Sequence, residues 1–144
     1  MVRKILRPAA LPITWMLLHT PVTADQVTLA ALLIGIVGLL LFAAVSKSLF
    51  LAGAILLQLW YLLDHVDGQI ARYRKTACLT GRFFDFMMHH IIHGILFFTL
   101  SFYCYSATGH VFFLILGFIV SFMMTLFNLV YDAKCKTFIE KLVK

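Results

Sequence analysis

Long apolar stretches alternate along the chain with short polar breaks, and a membrane-spanning helix needs about 20 mainly apolar residues. Four such stretches occur, at residues 26–45, 48–72, 83–106 and 110–131. The breaks at 46–48 and 107–109 are very short. Thr23 followed by Gln26 is typical of a capping box at the start of a helix. The pattern predicts an all-α, polytopic membrane helix bundle with about four transmembrane helices.

The composition supports this fold class. Hydrophobic residues make up 62% of the chain and the mean hydropathy is +0.98. Only 12% of the residues are charged, against about 25% in an ordinary soluble domain. A length of 144 residues allows one domain, so we expect residues 1–144 to form a single membrane domain.

The segment before the first span, residues 1–22, mixes basic residues with apolar ones such as Trp15. Such an amphipathic segment can lie in the plane of the lipid headgroups. Pro8 and Pro12 argue against one continuous helix here, because an interior proline lacks a donor and crowds the preceding turn.

Basic residues indicate the orientation of the spans. Of the twelve, only Lys47 falls on the side opposite to all the others. By the positive-inside rule we expect both termini, the 73–82 loop and the basic tail at 133–144 to be cytoplasmic. The net charge of +6 then reflects topology and anionic headgroups. Membrane lipids are expected partners, and nucleic acid is not.

Acidic residues concentrate near the cytoplasmic end of the second and third spans. The chain has six acids, and Asp64, Asp67 and Asp85 lie within 22 residues. A carboxylate inside a membrane segment is costly and is therefore taken as functional by default. Carboxylate oxygens that converge on one point suit a hard divalent cation such as Mg²⁺.

Helical spacing places these acids on two stripes, because residues three and four apart share a face. The second span carries Asp64, Asp67, Gly68 and Ala71, and the third carries Gly81, Asp85 and His89. A short loop makes the two helices antiparallel neighbours, so we expect the stripes to face a common cavity. The small residues allow close approach of another helix or of a flat ligand. Arg72, Arg74 and Lys75 at its mouth can hold phosphate, which predicts a metal–diphosphate site.

The run from Asp64 to Asp85 resembles the signature of the CDP-alcohol phosphotransferase family, D-x2-D-G-x2-A-R-x8,9-G-x3-D-x3-D. Seven of its eight fixed positions match in this sequence. The segment from Thr20 to Thr28 also resembles the family's entry to its first span. The resemblance covers roughly residues 10–130, but only the motif is specific to the family.

The resemblance implies a phospholipid-synthesising enzyme. Such enzymes transfer a substituted phosphate from a CDP-alcohol, often CDP-diacylglycerol, to an acceptor hydroxyl and release CMP. Two divalent cations, Mg²⁺ or Mn²⁺, are implied as cofactors, and a homodimer is expected. Asp64, Asp67 and Asp85 take metal-ligand positions, Gly68, Ala71 and Gly81 take positions beside the CMP moiety, and Arg72 takes the family arginine position. The expected location is the cytoplasmic membrane of a bacterium, with the active site on the cytoplasmic side.

The sequence departs from the family pattern at two points. His89 stands where the family has an aspartate that acts as general base. An imidazole, with an unperturbed pKa of about 6.5, can take a proton near neutral pH, and it can also bind Mn²⁺ or Zn²⁺, although it suits Mg²⁺ less well. The family usually has six spans, and four are counted here.

Three classes of function remain open. The first is the phosphotransferase with His89 as base or metal ligand. The second is a catalytically weak family member that serves as a binding or scaffold subunit. The third, a cation transporter, is disfavoured because no acid lies in the outer half of any span to continue a path. Gly35 and Gly38 in the first span predict a close helix contact and not a nucleotide loop.

Overall fold

A computed structural model describes the backbone of residues 2–142 and the side chains of residues 8–131, 133 and 134. Every regular element over these residues is an α-helix, which confirms the predicted all-α class. The helices are, in order, α1 (Val2–Leu18), α2 (Ala24–Ala43), α3 (Lys47–Tyr73), α4 (Leu79–Thr108) and α5 (Phe112–Leu142). The basic side chains of the first seven residues and those beyond residue 134 lie outside the described residues.

Among the described residues, four helices are long and apolar enough to cross a membrane, as predicted: α2, α3, α4 and the Phe112–Tyr131 part of α5. Their mean hydropathies lie between 1.4 and 2.4. Each begins or ends within a few residues of the predicted span. The chain is therefore an integral membrane protein, and α5 continues past its apolar part into the basic tail.

The capping box at the start of α2 is confirmed. The Thr23 hydroxyl accepts a hydrogen bond from the Gln26 backbone N–H at 3.3 Å, and the Gln26 side chain accepts one from the Thr23 N–H at 3.0 Å. Two of the donors left free at a helix start are thereby satisfied.

The prediction of a broken N-terminal segment is wrong, because α1 is one helix with Pro8 and Pro12 inside it. The two prolines are four residues apart and both are exposed, so the missing donors share one outward face. The opposite face carries Ala10 and Thr14, which are 0% and 5% exposed. Packing of that face against α3 holds the helix together. Its place in the headgroup plane stays a prediction.

Two compact units divide the chain, one ending at His89 and the other beginning at His90, with α4 running through the boundary. In the first unit, Ala10 of α1, Val27 of α2, and Val66 and Ile70 of α3 form one buried apolar cluster. This cluster joins the three helices beside the end of α3 that carries the motif acids.

Away from this cluster, α2 and α3 cross at Gly38 and Gly53, both of which are buried. A Cβ atom added to Gly53 would lie 2.7 Å from the Gly38 carbonyl oxygen and 2.8 Å from the Phe42 backbone nitrogen. The close helix contact predicted from Gly35 and Gly38 is confirmed at Gly38. Gly53, its partner on α3, was not predicted.

In the second unit, α4 and α5 also approach closely at small residues. A Cβ atom added to Gly117 would collide with the Ser101 side chain, and one added to Gly94 would lie 3.3 Å from the Thr125 hydroxyl. Large apolar side chains cover the outer surface of α5, and Phe118 and Phe127 are 64% and 67% exposed. In a membrane such groups face lipid.

Candidate active site

The motif acids of α3 and the first turns of α4 meet at one end of the first unit. Asp64 Oδ1 lies 3.2 Å from His89 Nε2, and Asp85 Oδ1 lies 3.5 Å from the same nitrogen. Asp64, Asp85 and His89 offer ligand atoms that all lie within 4.8 Å of one another. The structure therefore brings together three of the four predicted metal ligands.

Burial differs across this group. The side chain of Asp64 is 11% exposed, that of His89 is 29% exposed and that of Asp85 is 51% exposed. The His89 ring packs edge-on against Trp60, with 5.5 Å between the ring centroids. Because Trp60 is itself buried, the aromatic contact holds the imidazole against the two carboxylates.

Asp67, the fourth predicted ligand, is turned toward a different helix. Its Oδ2 accepts a hydrogen bond of 2.6 Å from the Thr28 hydroxyl of α2. Asp67 is 6% exposed and still lines the cavity described next. Helical spacing predicted that Asp67 shares a face with Asp64. That spacing could not indicate the hydrogen bond between Asp67 and Thr28 of the first span.

A cavity of about 240 Å³ adjoins the acids. Its walls come from the start of α2, the end of α3, the connection between α3 and α4, and the first turns of α4. The lining residues are Ala24, Asp25, Thr28, Asp67, Gly68, Ala71, Arg72, Thr76, Ala77, Cys78, Gly81, Arg82 and Asp85. Every predicted substrate-binding residue, Gly68, Ala71, Arg72 and Gly81, is among them. The residues that sequence analysis did not single out are those of α2, those of the connection, and Arg82 of α4.

The two motif glycines leave room on the cavity side. A Cβ atom added to Gly81 would make only ordinary contacts, at 3.6 Å from Cys78 Sγ and 3.7 Å from Asp25 Oδ1. A Cβ atom added to Gly68 would meet the Arg72 guanidinium at 3.4–3.7 Å. Arg72 thus lies over Gly68 at the cavity wall, where a guanidinium can bind phosphate oxygens.

Arg74 does not share that position. Its guanidinium donates to the carbonyl oxygens of Val22 at 2.6 Å and Thr20 at 2.7 Å, with longer contacts of 3.4 Å to Leu17 and Leu18. These carbonyls belong to the end of α1 and to the connection between α1 and α2. The predicted phosphate-holding role of Arg74 is therefore wrong in this structure, because its donors bind the backbone that closes α1 onto α3.

His65 flanks the site from the other side of Asp64. Its Nδ1 lies 3.6 Å from Asp64 Oδ2 and 3.0 Å from the Tyr61 carbonyl oxygen. Asp64 is thus placed between two imidazoles, although helical spacing puts His65 on a neighbouring face. The contact arises because a carboxylate can turn toward the residue next to it.

The donor set suits a divalent cation. Two carboxylates with an imidazole can bind Mn²⁺ or Zn²⁺, and a further carboxylate at Asp67 would add the oxygen ligands that Mg²⁺ prefers. The described residues thus fit a metal ion beside a cavity that has Arg72 and Arg82 at its wall. That arrangement is able to hold a diphosphate next to a metal.

Comparison with known proteins agrees with this geometry. A family model described as CDP-alcohol phosphatidyltransferase matches residues 21–142, which is most of the chain and includes every residue that lines the cavity. A comparison with curated protein sequences gave no match. The matched region begins at the connection before α2 and contains the whole acidic motif, so the chain belongs to the CDP-alcohol phosphatidyltransferase family.

Proposed function

We propose that this protein transfers a substituted phosphate from a CDP-alcohol, with CDP-diacylglycerol as the donor, to an acceptor hydroxyl, and releases CMP. Membership of the family makes the chain a membrane transferase of phosphate-containing groups in phospholipid synthesis. The observation that carries the finer proposal is the convergence of Asp64, Asp85 and His89 beside the cavity.

Residues of the cavity wall would hold the donor. Gly68, Ala71 and Gly81, which line the cavity, would leave space for the CMP moiety, and the Arg72 guanidinium would bind the diphosphate of the donor. Asp64, Asp67, Asp85 and His89 would hold Mg²⁺ or Mn²⁺, as one or two ions. When bound, such an ion neutralises charge on the diphosphate and orients the reacting oxygens.

The proposed reaction forms one phosphorus–oxygen bond, breaks another and moves one proton. The acceptor oxygen forms a bond to the β-phosphorus of the donor, the bond from that phosphorus to the CMP oxygen breaks, and CMP leaves as the phosphate monoester. We assign the acceptor proton to the His89 imidazole, whose Nε2 lies 3.2 Å from Asp64 Oδ1 and 3.5 Å from Asp85 Oδ1 and whose ring packs against Trp60. A nitrogen lone pair cannot bind a cation and accept a proton at once, so the base role and the ligand role of His89 are alternatives.

One observation favours a second candidate function. His89 Nε2 already faces two carboxylates, and a protonated imidazole there would compete with a cation for them. A family member in which this happens would be a weak catalyst and would act as a binding or scaffold subunit. This alternative predicts that His89→Asp, which restores the family residue, raises turnover.

The first experiment is CMP release by the purified protein with Mg²⁺ or Mn²⁺. CDP-diacylglycerol and small CDP-alcohols are tested against pooled acceptors, with Asp67→Ala as the inactive control and His89→Asp beside it. Metal-dependent release by the wild type, lost in Asp67→Ala, supports the phosphotransferase. Activity confined to His89→Asp supports the scaffold. A folded wild type that binds neither metal nor CDP-lipid contradicts the proposal.

Orientation and assembly complete the proposal. We place both termini and the cavity on the cytoplasmic side of a bacterial cytoplasmic membrane, because eleven of the twelve basic residues fall on that side of the spans. We further propose a homodimer. Labelling of Cys78 in sealed vesicles tests the proposed orientation, since Cys78 is exposed beside the cavity. Protection of Cys78 from an impermeant reagent added to the cytoplasmic face would contradict it.

A further inference from the structure

The contact between Thr28 and Asp67 joins a helix outside the acidic motif to one of the proposed metal ligands. The Thr28 hydroxyl lies 2.6 Å from Asp67 Oδ2 and 3.1 Å from the Ala24 carbonyl oxygen. A hydroxyl has one proton to donate. Hydroxyl-to-carboxylate bonds of about 2.5–2.7 Å are the charge-assisted kind, so the proton belongs to the contact with Asp67.

The chain neighbours of Thr28 and Asp67 are buried. Val27, which precedes Thr28, is 5% exposed, and Val66, which precedes Asp67, is 0% exposed. Both valines belong to the buried cluster that packs α2 against α3. This packing determines the position of α2 relative to α3, and the hydrogen bond connects the Asp67 carboxylate to that helix.

The consequence concerns the orientation of the carboxylate. Asp67 lies on the cavity wall, but its atoms are not part of the close group formed by Asp64, Asp85 and His89. Thr28 fixes Oδ2 toward α2, which leaves Oδ1 as the oxygen that can turn toward an ion. Groups that hydrogen-bond to a metal ligand orient it, and their loss commonly weakens metal binding about 10–100-fold.

We propose that Thr28 is a positioning residue for the metal site and holds the Asp67 carboxylate for a divalent cation. This inference rests on the proposed function, because it takes Asp67 to be a ligand. Thr28 acts through Asp67, and its hydroxyl need not touch substrate. The expected consequence is that the affinity for the metal depends on a hydroxyl at position 28.

The structure offers a matched control in Thr14. Its hydroxyl also lies near a carbonyl one turn back, that of Ala10 at 2.9 Å, and also reaches a side chain on α3, that of Gln69 at 2.7 Å. Thr14 is outside the cavity lining. Replacing it with valine therefore removes a comparable hydrogen bond between helices that involves none of the proposed metal ligands.

The test measures Mn²⁺ binding to metal-free, full-length protein in nanodiscs. Binding is detected as a decrease in the electron paramagnetic resonance signal of free Mn²⁺. Thr28→Val and Thr28→Ala both lose the hydroxyl, so either one that folds is informative. We expect their Mn²⁺ dissociation constants to rise about 10–100-fold. Thr28→Ser should stay within about threefold of the wild type, and Thr14→Val should match the wild type.

Each outcome decides the inference. Wild-type affinity in Thr28→Val or Thr28→Ala overturns it while leaving the proposed metal site intact. Equal weakening in Thr14→Val overturns it as well, because the effect would then belong to helix packing in general. A wild type with no Mn²⁺ binding above Asp67→Ala contradicts the proposed function, and the inference falls with it. Weakening at position 28 alone, restored by serine, supports it.

Discussion

Glycines at the α2–α3 crossing and at the cavity do different things. At the crossing, a Cβ atom on Gly53 would lie 2.7 Å from the Gly38 carbonyl oxygen, so the absence of a side chain lets two backbones touch. At the cavity, a Cβ atom on Gly81 would meet nothing closer than 3.6 Å. The first glycine is required by helix packing, whereas the second leaves space that no protein atom fills.

Sequence alone could not separate these two uses. Small residues in a membrane helix allow either a neighbouring helix or a flat ligand to approach, and both kinds occur in this chain. Only the surroundings of each Cβ position tell them apart. The same substitution at the two positions should therefore have different consequences.

A large loss of stability is expected for Gly53→Val. Its Cβ and methyl groups would need space occupied by backbone atoms of Gly38 and Phe42, and overpacking of this kind costs about 1–3 kcal/mol. Valine has a higher helix propensity than glycine, but this difference offsets only a few tenths of a kcal/mol. Thermal unfolding in nanodiscs measures the loss. An unchanged unfolding temperature would show that α2 and α3 can separate at no cost.

A second test compares Arg74 with Arg72. Arg74→Ala removes donors from the Val22 and Thr20 carbonyls, and hydrogen bonds to a charged group contribute about 1.5–3 kcal/mol each. We expect a lower free energy of unfolding and easier proteolysis of α1. Arg72→Ala is the matched variant, since it removes the same charge two residues away. It should weaken donor binding with little change in stability, and the reverse result would exchange the roles of the two arginines.

Gly81→Val tests the cavity glycine in the same way that Gly53→Val tests the packing glycine. The methyl groups would enter the cavity, so we expect the KM for the CDP-alcohol to rise about tenfold, which corresponds to about 1.4 kcal/mol. The unfolding temperature should stay that of the wild type, because ordinary contacts surround the added Cβ. A stability loss as large as that of Gly53→Val would mean that Gly81 also serves helix packing.

The smallest effect is expected for Gly68→Ala. The added methyl would meet the Arg72 guanidinium at 3.4–3.7 Å, and the end of a flexible side chain can move aside. We expect turnover within about threefold of the wild type, since ordinary van der Waals contact involves little strain. Steady-state CMP release measures it. A loss of a hundredfold would show that Arg72 has one productive position.

Local signals predicted the helices well because each depends on residues near in sequence. Apolar length identified all four spans, and the Thr23–Gln26 capping box marked the start of α2. The prolines of α1 misled the prediction. Their effect on a helix depends on which face they occupy, and packing of the opposite face on α3 overcame the missing donors.

The sequence by itself determined the chemistry of the site: the motif spacing places Asp64 on one helix face and Asp85 with His89 on another. Only the tertiary structure decided which groups surround those faces. It brought Thr28 of α2 to Asp67, Asp25 to the cavity beside Gly81, and Arg74 to the carbonyls after α1. The physical reason is that helical periodicity sets the relative directions of side chains within one helix. The rotation and contacts of neighbouring helices depend on packing between residues far apart in the chain.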